Sequence, residues 1–253
     1  MRVAVVIPAR FASSRLPGKP LLRDTGKYLI QHVYEQASAA KAASLVVVAT
    51  DDDRIRTAVE GFGGNVVMTR ADHPSGTDRV AEVAAGIGAH VVVNVQGDEP
   101  QLDPGAIDLL VELLAGDPGS DMATLATPLP DRESYLSPNV VKVVCDDRGR
   151  ALYFSRSPIP MAREGDPDLA ARPARYLQHL GVYAYRRAFL LKLATLPPHP
   201  LEEAEKLEQL RVLGSGGTIQ VGQVAHAHRG VDTPADYAAF VRAYREGRSR
   251  RAA

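Results

Sequence analysis

Residues 3–20 of the chain read VAVVIPARFASSRLPGKP, an apolar stretch followed by a basic loop. Residues 3–7 are apolar and mostly β-branched, which predicts a strand buried on both faces. The predicted strand ends at Pro8, and Arg10, Arg15 and Lys19 lie in the loop after it. Open α/β sheets bind ligands outside the carboxyl ends of their strands, so this loop is a candidate binding site.

The composition of this loop suits a polyphosphate. Three cations stand close together, and Gly18 lets the backbone N–H groups approach phosphate oxygens closely. Any one cation alone is typical of a solvated surface, but three of them directly after a buried strand favour phosphate binding. The loop is not a P-loop, because Pro20 occupies the position where that motif needs Ser or Thr for magnesium.

Helices and strands are predicted to alternate after the first strand. Apolar residues at helical spacing predict a helix over 27–40, and buried strands are predicted over 45–49 and 66–68 with a second helix between them. The acidic residues 51–53 are expected to cap that second helix rather than to bind a metal. This order predicts a doubly wound, mostly parallel α/β sheet, and the absence of Gly-x-Gly-x-x-Gly after the first strand disfavours an NAD-type fold.

Two further polar segments follow strands of this sheet. Residues 69–79 are compatible with either an ordinary capped loop or a binding loop, and a short helix is predicted over 78–85. A buried strand over 91–95 leads into Gln96-Gly97-Asp98-Glu99-Pro100. Asp103-Pro104 already suits the start of the next helix, so Asp98 and Glu99 are available to bind magnesium, which prefers one or two carboxylates plus phosphate oxygens.

The middle of the chain has a different character. Residues 146–150 separate two strand-like stretches, which predicts a β-hairpin, and a Pro-rich loop is predicted over 157–175. His179 and Tyr183 are expected to lie on one face of a strand, because they are four residues apart. Further elements are predicted as strands over 122–127, 140–145, 151–154, 177–185 and 218–224, and as helices over 202–213 and from Asp232 onward.

The composition of the 253 residues limits the possible classes of function. Thirty basic and thirty acidic residues cancel, which argues against a nucleic-acid binder. The single cysteine, Cys145, excludes an intramolecular disulfide and a cysteine-based zinc site, and it is expected to be inert core. No apolar run approaches the ~18 residues of a membrane span and no signal peptide is evident, so a cytoplasmic protein without a membrane partner is expected.

Blocks of residues along nearly the whole chain resemble the sugar-acid cytidylyltransferases, and most closely the family of 3-deoxy-manno-octulosonate (Kdo) cytidylyltransferases. The resemblance implies a Rossmann-like, GT-A-like nucleotidyltransferase fold in a single domain over 1–253, with 122–185 contributing a sugar-binding and dimerisation subdomain. The matching blocks are 7–10, 14–21, 48–51, 68–73, 75–79, 94–100, 151–156, 179–183, 207–213 and 230–234.

The family resemblance also implies a reaction and its site residues. The reaction is the Mg²⁺-dependent transfer of CMP from CTP to the anomeric hydroxyl of Kdo, with release of pyrophosphate, for lipopolysaccharide synthesis by a homodimer. The implied catalytic residues are Arg10, Lys19, Asp98 and Asp232, of which Asp98 and Asp232 bind the metal. The implied nucleotide ligands are Pro8, Ala9, Arg10, Arg15, Lys19, Ser75, Gly76, Arg79 and Gln96. The implied sugar ligands are Gln96, Arg156, His179, Tyr183, Glu208 and Gln209.

Several of these residues have ordinary structural alternatives. Asp232 alone would be assigned as a helix cap, and Glu208 and Gln209 as solvated residues in the middle of a helix. Residues 223–229 do not match the family, and a flexible loop is favoured there over a metal site at His226 and His228. Two other functions are considered: activation of another sugar acid such as a sialic acid, and glycosyl transfer from a nucleotide-sugar bound through residues 51–53.

Overall fold

The computed structural model describes residues 1–12, 15–171, 174–227 and 230–252. It divides into two compact units, of which the first comprises Met1–Ile107 with His228–Ala253 and the second Asp108–Ala227. Among the described residues, no helix combines the length and apolar character needed to cross a membrane. The predicted subdomain over 122–185 lies inside the second unit, and its role in sugar binding and dimerisation stays a prediction.

The first unit contains a parallel sheet with the strand order β3-β2-β1-β4. The sheet confirms the predicted doubly wound α/β pattern. Its elements are β1 (Val3–Ala9), a short 3₁₀ helix (Lys19–Leu21), α1 (Leu29–Ser38), β2 (Leu45–Thr50), α2 (Asp53–Gly61), β3 (Val66–Met68), α3 (Gly76–Gly86), β4 (Val91–Asn94), the start of α4 (Pro104–Gly116) and α9 (Pro234–Ala252).

The second unit contains the predicted hairpin and a mixed sheet. Strand β5 pairs antiparallel with β8 and parallel with β9, and β6 pairs antiparallel with both β7 and β8. Gly149 has a φ of +75°, which suits the tight turn between β6 and β7. Its elements are β5 (Met122–Pro128), α5 (Arg132–Leu136), β6 (Lys142–Cys145), β7 (Ala151–Ser155), β8 (Leu177–Arg186), α6 (Arg187–Leu193), α7 (Pro200–Glu205), α8 (Gln209–Gly214) and β9 (Ile219–Gln223).

Apolar strands form the centre of the first unit. Every residue of β1 is buried except the half-buried Pro8, and β4 is buried throughout. Helix α1 packs its predicted apolar stripe inward, with Leu29, Ile30, Val33 and Ala37 all buried. Asp52 caps α2 by accepting a hydrogen bond from the backbone N–H of Arg54, as predicted for the acidic triplet.

Helix α9 is held by an apolar cluster and does not begin at an Asp232 cap, which was the structural alternative for that residue. Tyr237, Phe240 and Val241 pack with Leu16 and Leu29. The cap is formed by two other residues: the side chain of Thr233 accepts from the backbone N–H of Asp236, and the carboxylate of Asp236 accepts from the backbone N–H of Thr233. The carboxylate of Asp232 is therefore available for contacts elsewhere.

The single predicted helix over 202–213 is two short helices. Lys206 has a φ of +54°, a left-handed conformation that ends α7, and α8 begins at Gln209. Glu208 and Gln209 thus lie at a helix start and not in the middle of a helix, which corrects the sequence reading. Periodicity could not show the break, because Leu207 and Leu210 keep a helical spacing and both are buried across it.

The cysteine prediction is only partly right. Cys145 ends β6 and is half-buried rather than fully buried. Burial and the neighbouring Asp146 raise the pKa of its thiol to about 11, so the group stays protonated and weakly reactive at neutral pH.

Candidate active site

The carboxyl ends of β1 and β4 border an open cleft of about 380 Å³ in the first unit. Parallel pairing brings these strand ends to one edge of the sheet, where open α/β sheets bind ligands. Three cations and two carboxylates are among the lining residues, which are Pro8, Ala9, Arg10, Ala12, Arg15, Lys19, Pro20, Gly76, Gln96, Gly97, Asp98 and Asp232.

An ion cluster centred on Lys19 lies in this cleft. The Nζ of Lys19 donates to Oδ2 of Asp98 at 2.7 Å and to Oδ1 of Asp232 at 3.3 Å. The Nη2 of Arg15 lies 3.1 Å from the same Asp232 oxygen. The Lys19 side chain is 13% exposed, so its two carboxylate partners compensate for much of the hydration that it loses.

The backbone of the basic loop places Lys19 in the cluster. Gly18 has a φ of +67° and precedes the short 3₁₀ helix that begins at Lys19. The N–H of Gly18 donates to the carbonyl of Phe11 at 3.2 Å, which closes the loop. The guanidinium carbon of Arg54 lies 3.3 Å from the centroid of the Phe11 ring, and this cation–π contact helps to hold the loop in place.

Two short backbone contacts place the carboxylates. The N–H of Val231 donates to the carbonyl of Asp98 at 2.8 Å, so the segment that carries Asp232 is bonded to the loop after β4. A Cβ atom on Gly97 would lie 2.8 Å from the carbonyl oxygen of Pro8, so only glycine permits this approach of the two strand ends.

Helix α3 begins at the cleft. The hydroxyl of Ser75 accepts from the backbone N–H of Asp78 and donates to the Asp78 carboxylate at 2.7 Å. The predicted ligand Ser75 is thus the helix cap, and the next residue, Gly76, lines the cleft. Because the N-terminus of a helix carries a partial positive charge, α3 adds to the preference of the cleft for anions.

Arg79 differs from its predicted role as a nucleotide ligand. Its side chain is buried, its guanidinium donates to the hydroxyl of Thr69, and its Nη1 lies 3.2 Å from the carboxylate of Asp51. It is not among the residues that line the cleft. These contacts link the loop after β3 to the end of β2, so Arg79 has a structural role next to the cleft.

Glu99 is not among the residues that line the cleft. Burial, with a smaller contribution from the charge of Asp98, raises the pKa of the Glu99 carboxyl to about 7. Asp98 lines the cleft and Glu99 does not, which favours Asp98 over Glu99 in the metal-binding role.

The oxygen donors of the cleft suit a hard cation. Asp98 and Asp232 both reach one ammonium nitrogen, so their carboxylates lie close enough to share a cation. Magnesium is held by one or two carboxylates together with substrate phosphates, and this pair fits that pattern. Among the described residues, no group of three or more His, Cys, Asp or Glu side chains forms an alternative metal site.

In the second unit, His179 and Tyr183 share a face of β8 as predicted, with their ring centroids 5.5 Å apart. His179 is buried; its Nε2 lies 3.0 Å from the hydroxyl oxygen of Thr124, and its ring contacts Phe154 edge-on. Desolvation lowers the pKa of His179 to about 3, so the ring is neutral at physiological pH and can exchange hydrogen bonds without carrying charge.

Gln209, the first residue of α8, lies next to Tyr183 of β8. The hydroxyl of Tyr183 lies 3.5 Å from Oε1 of Gln209. The Nε2 of Gln209 is buried and has no hydrogen-bond partner among the described residues. An unsatisfied buried amide is costly, and a ligand oxygen would satisfy it. Its neighbour Glu208 is exposed.

Arg156 is a predicted sugar ligand, and three of its guanidinium N–H donors are already used. Its Nε donates to the carbonyl of Glu205 at 2.8 Å, Nη1 to that of Pro138 at 2.9 Å, and Nη2 to that of Lys206 at 3.4 Å. A guanidinium has five N–H donors, so two remain for a ligand. The sequence did not indicate this structural role, because the acceptors are backbone carbonyls.

Comparisons with known proteins identify the family to which the chain belongs. A family model described as cytidylyltransferase matches residues 4–219. The chain is 55% identical over 239 residues to the 3-deoxy-manno-octulosonate cytidylyltransferase of Syntrophotalea carbinolica, covering 93% of this chain and 96% of the relative. It is 53% identical over 241 residues to the protein of that name from Geobacter sulfurreducens, with the same two coverages. The chain belongs to this cytidylyltransferase family.

Solved structures agree with the family assignment. A CMP:2-keto-3-deoxy-manno-octonic acid synthetase complexed with CTP has 45% identity and a TM-score of 0.91, with 98% of this chain and 100% of that one covered. The 4-diphosphocytidyl-2C-methyl-D-erythritol synthase of Anaerococcus prevotii has a TM-score of 0.61 at 13% identity, over 97% and 98% of the two chains. The second likeness shows only that the cytidylyltransferase fold is shared.

Two histidines lie in the segment 223–229, which did not match the family blocks. His226 is exposed, and His228 lies outside the described residues, as do Ser13, Ser14, Arg172, Pro173, Arg229 and Ala253. The prediction of a flexible loop over 223–229 is therefore untested.

Stability is expected to depend on pH through His179. The ring has a pKa of about 3 in the folded state and its ordinary value near 6.5 in the unfolded state. Below pH 6.5 the unfolded state therefore binds a proton that the folded state does not, and the free energy of unfolding falls as the pH approaches 3. Lowering the pH from 7.5 to 5 should therefore cost about 2 kcal/mol of unfolding free energy through this residue. Urea unfolding of the wild type and of His179→Gln measures the difference.

The exposed His226 provides the control. His226→Gln should follow the wild-type pH dependence, whereas the curve of His179→Gln should be flatter by the stated amount. Parallel curves for His179→Gln and the wild type would show that the ring is not held neutral by burial.

Proposed function

We propose that this cytidylyltransferase transfers CMP from CTP to the anomeric hydroxyl of Kdo and releases pyrophosphate, as a step of lipopolysaccharide synthesis. The observation that carries the proposal is the cluster of Lys19, Asp98 and Asp232 at the strand ends of a chain more than 50% identical to proteins with that named activity. The reaction is an in-line attack of the sugar hydroxyl on the α-phosphorus of CTP. It requires positioning and charge neutralisation rather than a covalent nucleophile on the protein.

The basic loop binds the triphosphate in this proposal. Arg10 and Arg15 are exposed in the cleft, and Lys19 lies deeper, so the three cations can contact phosphate oxygens at different depths. They offset the negative charge that grows on the leaving pyrophosphate. Pro8, Ala9, Gly76 and Gln96 form the neutral part of the nucleotide site, and Ser75 and Arg79 act by holding α3 and the loop before it.

Asp98 and Asp232 hold the metal ion in this proposal. Bound Mg²⁺ supplies positive charge to the phosphates and lowers the pKa of the sugar hydroxyl. The ammonium group of Lys19 now neutralises the two carboxylates, and the same group is the donor proposed for the phosphate. Lys19 therefore keeps the carboxylates close together in the absence of substrate.

Side chains of the second unit recognise the sugar acid in this proposal. Two remaining N–H donors of Arg156 bind its carboxylate, since a guanidinium can present paired donors to a carboxylate. Its hydroxyl groups are bound by His179 in its neutral form and by Tyr183, Glu208 and Gln209. Gln209 is supported by its buried, unpartnered Nε2.

We also propose that the enzyme acts as a homodimer in the cytoplasm. The dimer is supported by large apolar side chains on the second unit that are well exposed, with Leu152 at 63% and Met161 at 80%. The cytoplasm is proposed because the enzyme consumes a nucleoside triphosphate.

The glycosyltransferase alternative depends on the acidic triplet, and the contacts of that triplet disfavour it. Asp51 pairs with Arg79, Asp52 caps α2 and pairs with Arg54, and Asp53 pairs with Arg56. All three carboxylates thus have intramolecular partners and structural roles.

Pyrophosphate release from CTP and a panel of sugar acids tests the function. Release is expected with Kdo at a kcat/KM at least about tenfold above that with a sialic acid, which corresponds to ~1.4 kcal/mol of discrimination. CTP alone is the control for hydrolysis. Release with a sialic acid but not with Kdo would replace the proposed substrate, and no release with any acid would contradict the cytidylyl transfer.

Replacing Lys19 tests the basic loop. Lys19→Ala should lower kcat by about 10²–10³-fold, because it removes a preorganised positive charge from the phosphate site. Lys27→Ala is the matched control, since Lys27 lies outside the cleft and pairs with Glu35. Circular dichroism checks the fold, and near-normal turnover in Lys19→Ala would remove Lys19 from the phosphate site.

Replacing Asp98 tests the metal assignment. Asp98→Asn should abolish turnover at millimolar Mg²⁺, and Asp232→Asn should raise the Mg²⁺ concentration needed for half-maximal rate, because each removes one charged oxygen ligand. Asp103→Asn is the control, because the Asp103 side chain accepts from the N–H of Gly105 at the start of α4. Full activity of Asp98→Asn at ordinary Mg²⁺ would mean that the metal binds elsewhere.

A further inference from the structure

Glu205, the last residue of α7, bonds to the end of strand β7. Its Oε1 accepts from the hydroxyl of Ser155 at 2.6 Å, and its Oε2 accepts from the backbone N–H of Arg156 at 2.9 Å. Its backbone carbonyl accepts from Nε of Arg156 at 2.8 Å. One residue therefore fixes both the backbone and the side chain of Arg156.

The chain that follows Glu205 leads to two more predicted sugar ligands. Lys206 turns into the left-handed region, Glu208 is the residue before α8, and Gln209 is the first residue of α8. The bonds of Glu205 thus connect the strand end that carries Arg156 to the turn that carries Glu208 and Gln209.

A buried lysine holds the other side of Arg156. Lys142 is fully buried, and its Nζ donates to the carbonyls of Ser137, Val140 and Arg156 at 2.9, 2.6 and 2.6 Å. Arg156 is therefore held through its N–H, its carbonyl and three guanidinium donors. Among the described residues, Glu205 is the one whose carboxylate bonds to Arg156, through the backbone N–H.

We propose that Glu205 is a positioning residue for recognition of the sugar acid. It sets the direction in which the remaining N–H donors of Arg156 meet the substrate carboxylate, and it fixes Arg156 relative to Gln209. The inference rests on the proposed function, because it assumes that Arg156 binds the sugar acid. Glu205 itself does not contact substrate.

Steady-state kinetics of Glu205→Ala, Glu205→Asp and Glu205→Gln test this role. Ala and Asp should raise the KM for Kdo by about tenfold or more, because misplacing a substrate-binding group is costly, while the KM for CTP stays within about twofold. Gln should restore most of the wild-type KM, since its oxygen can accept from Arg156 N–H and its amide can donate to Ser155. Glu203→Ala is the matched control, because Glu203 is an exposed glutamate on the same helix.

A double-mutant cycle separates positioning from general stability. If Glu205 acts through Arg156, then Glu205→Ala should raise the KM for Kdo much less in an Arg156→Ala background than in the wild type. Equal effects in both backgrounds, an unchanged KM for Kdo, or equal losses for both substrates would overturn the proposal. If Glu205→Ala fails to fold, Glu205→Asp carries the cycle. Failure of the proposed function looks different, because the wild type would then release no pyrophosphate with Kdo.

Discussion

The ion cluster of Lys19 with Asp98 and Asp232 is the interaction on which the cleft depends. A lysine side chain that is only 13% exposed needs compensating charge for its ammonium group, and the two carboxylates provide it. Asp98 and Asp232 lie 79 and 213 positions from Lys19 along the chain. The cluster therefore forms only when the parallel sheet is paired and the segment before α9 is in place.

The fold of the first unit meets these requirements with a few close backbone contacts. Gly97 allows the loop after β4 to approach the carbonyl of Pro8, and Val231 bonds to the carbonyl of Asp98. The apolar face of α9 then packs on Leu16, which lies within the basic loop, and on Leu29 at the start of α1. Packing energy from apolar residues thus keeps opposite charges together at a site that water can enter.

The second unit uses the same principle with different groups. Lys142 and Arg156 satisfy backbone carbonyls that strand ends and turns leave unpaired, and the carboxylate of Glu205 satisfies a backbone N–H. Burial keeps His179 neutral beside Tyr183 and Gln209. His179, Tyr183 and Gln209 thus form an uncharged polar group, which suits recognition of hydroxyls.

The sequence by itself determined the parallel strands, the hairpin, the cap of α2 and the composition of the basic loop, because these follow from local apolar patterns and local turn chemistry. The tertiary structure alone decided that α7 ends at Lys206, that Arg79 is buried against Asp51 and Thr69, and that Glu205 bonds to Arg156. The partners of Arg79 and Glu205 lie on other segments of the chain, so packing between those segments determines them. Local propensity carries no information about such partners, since the same residues would form other caps and surfaces in isolation.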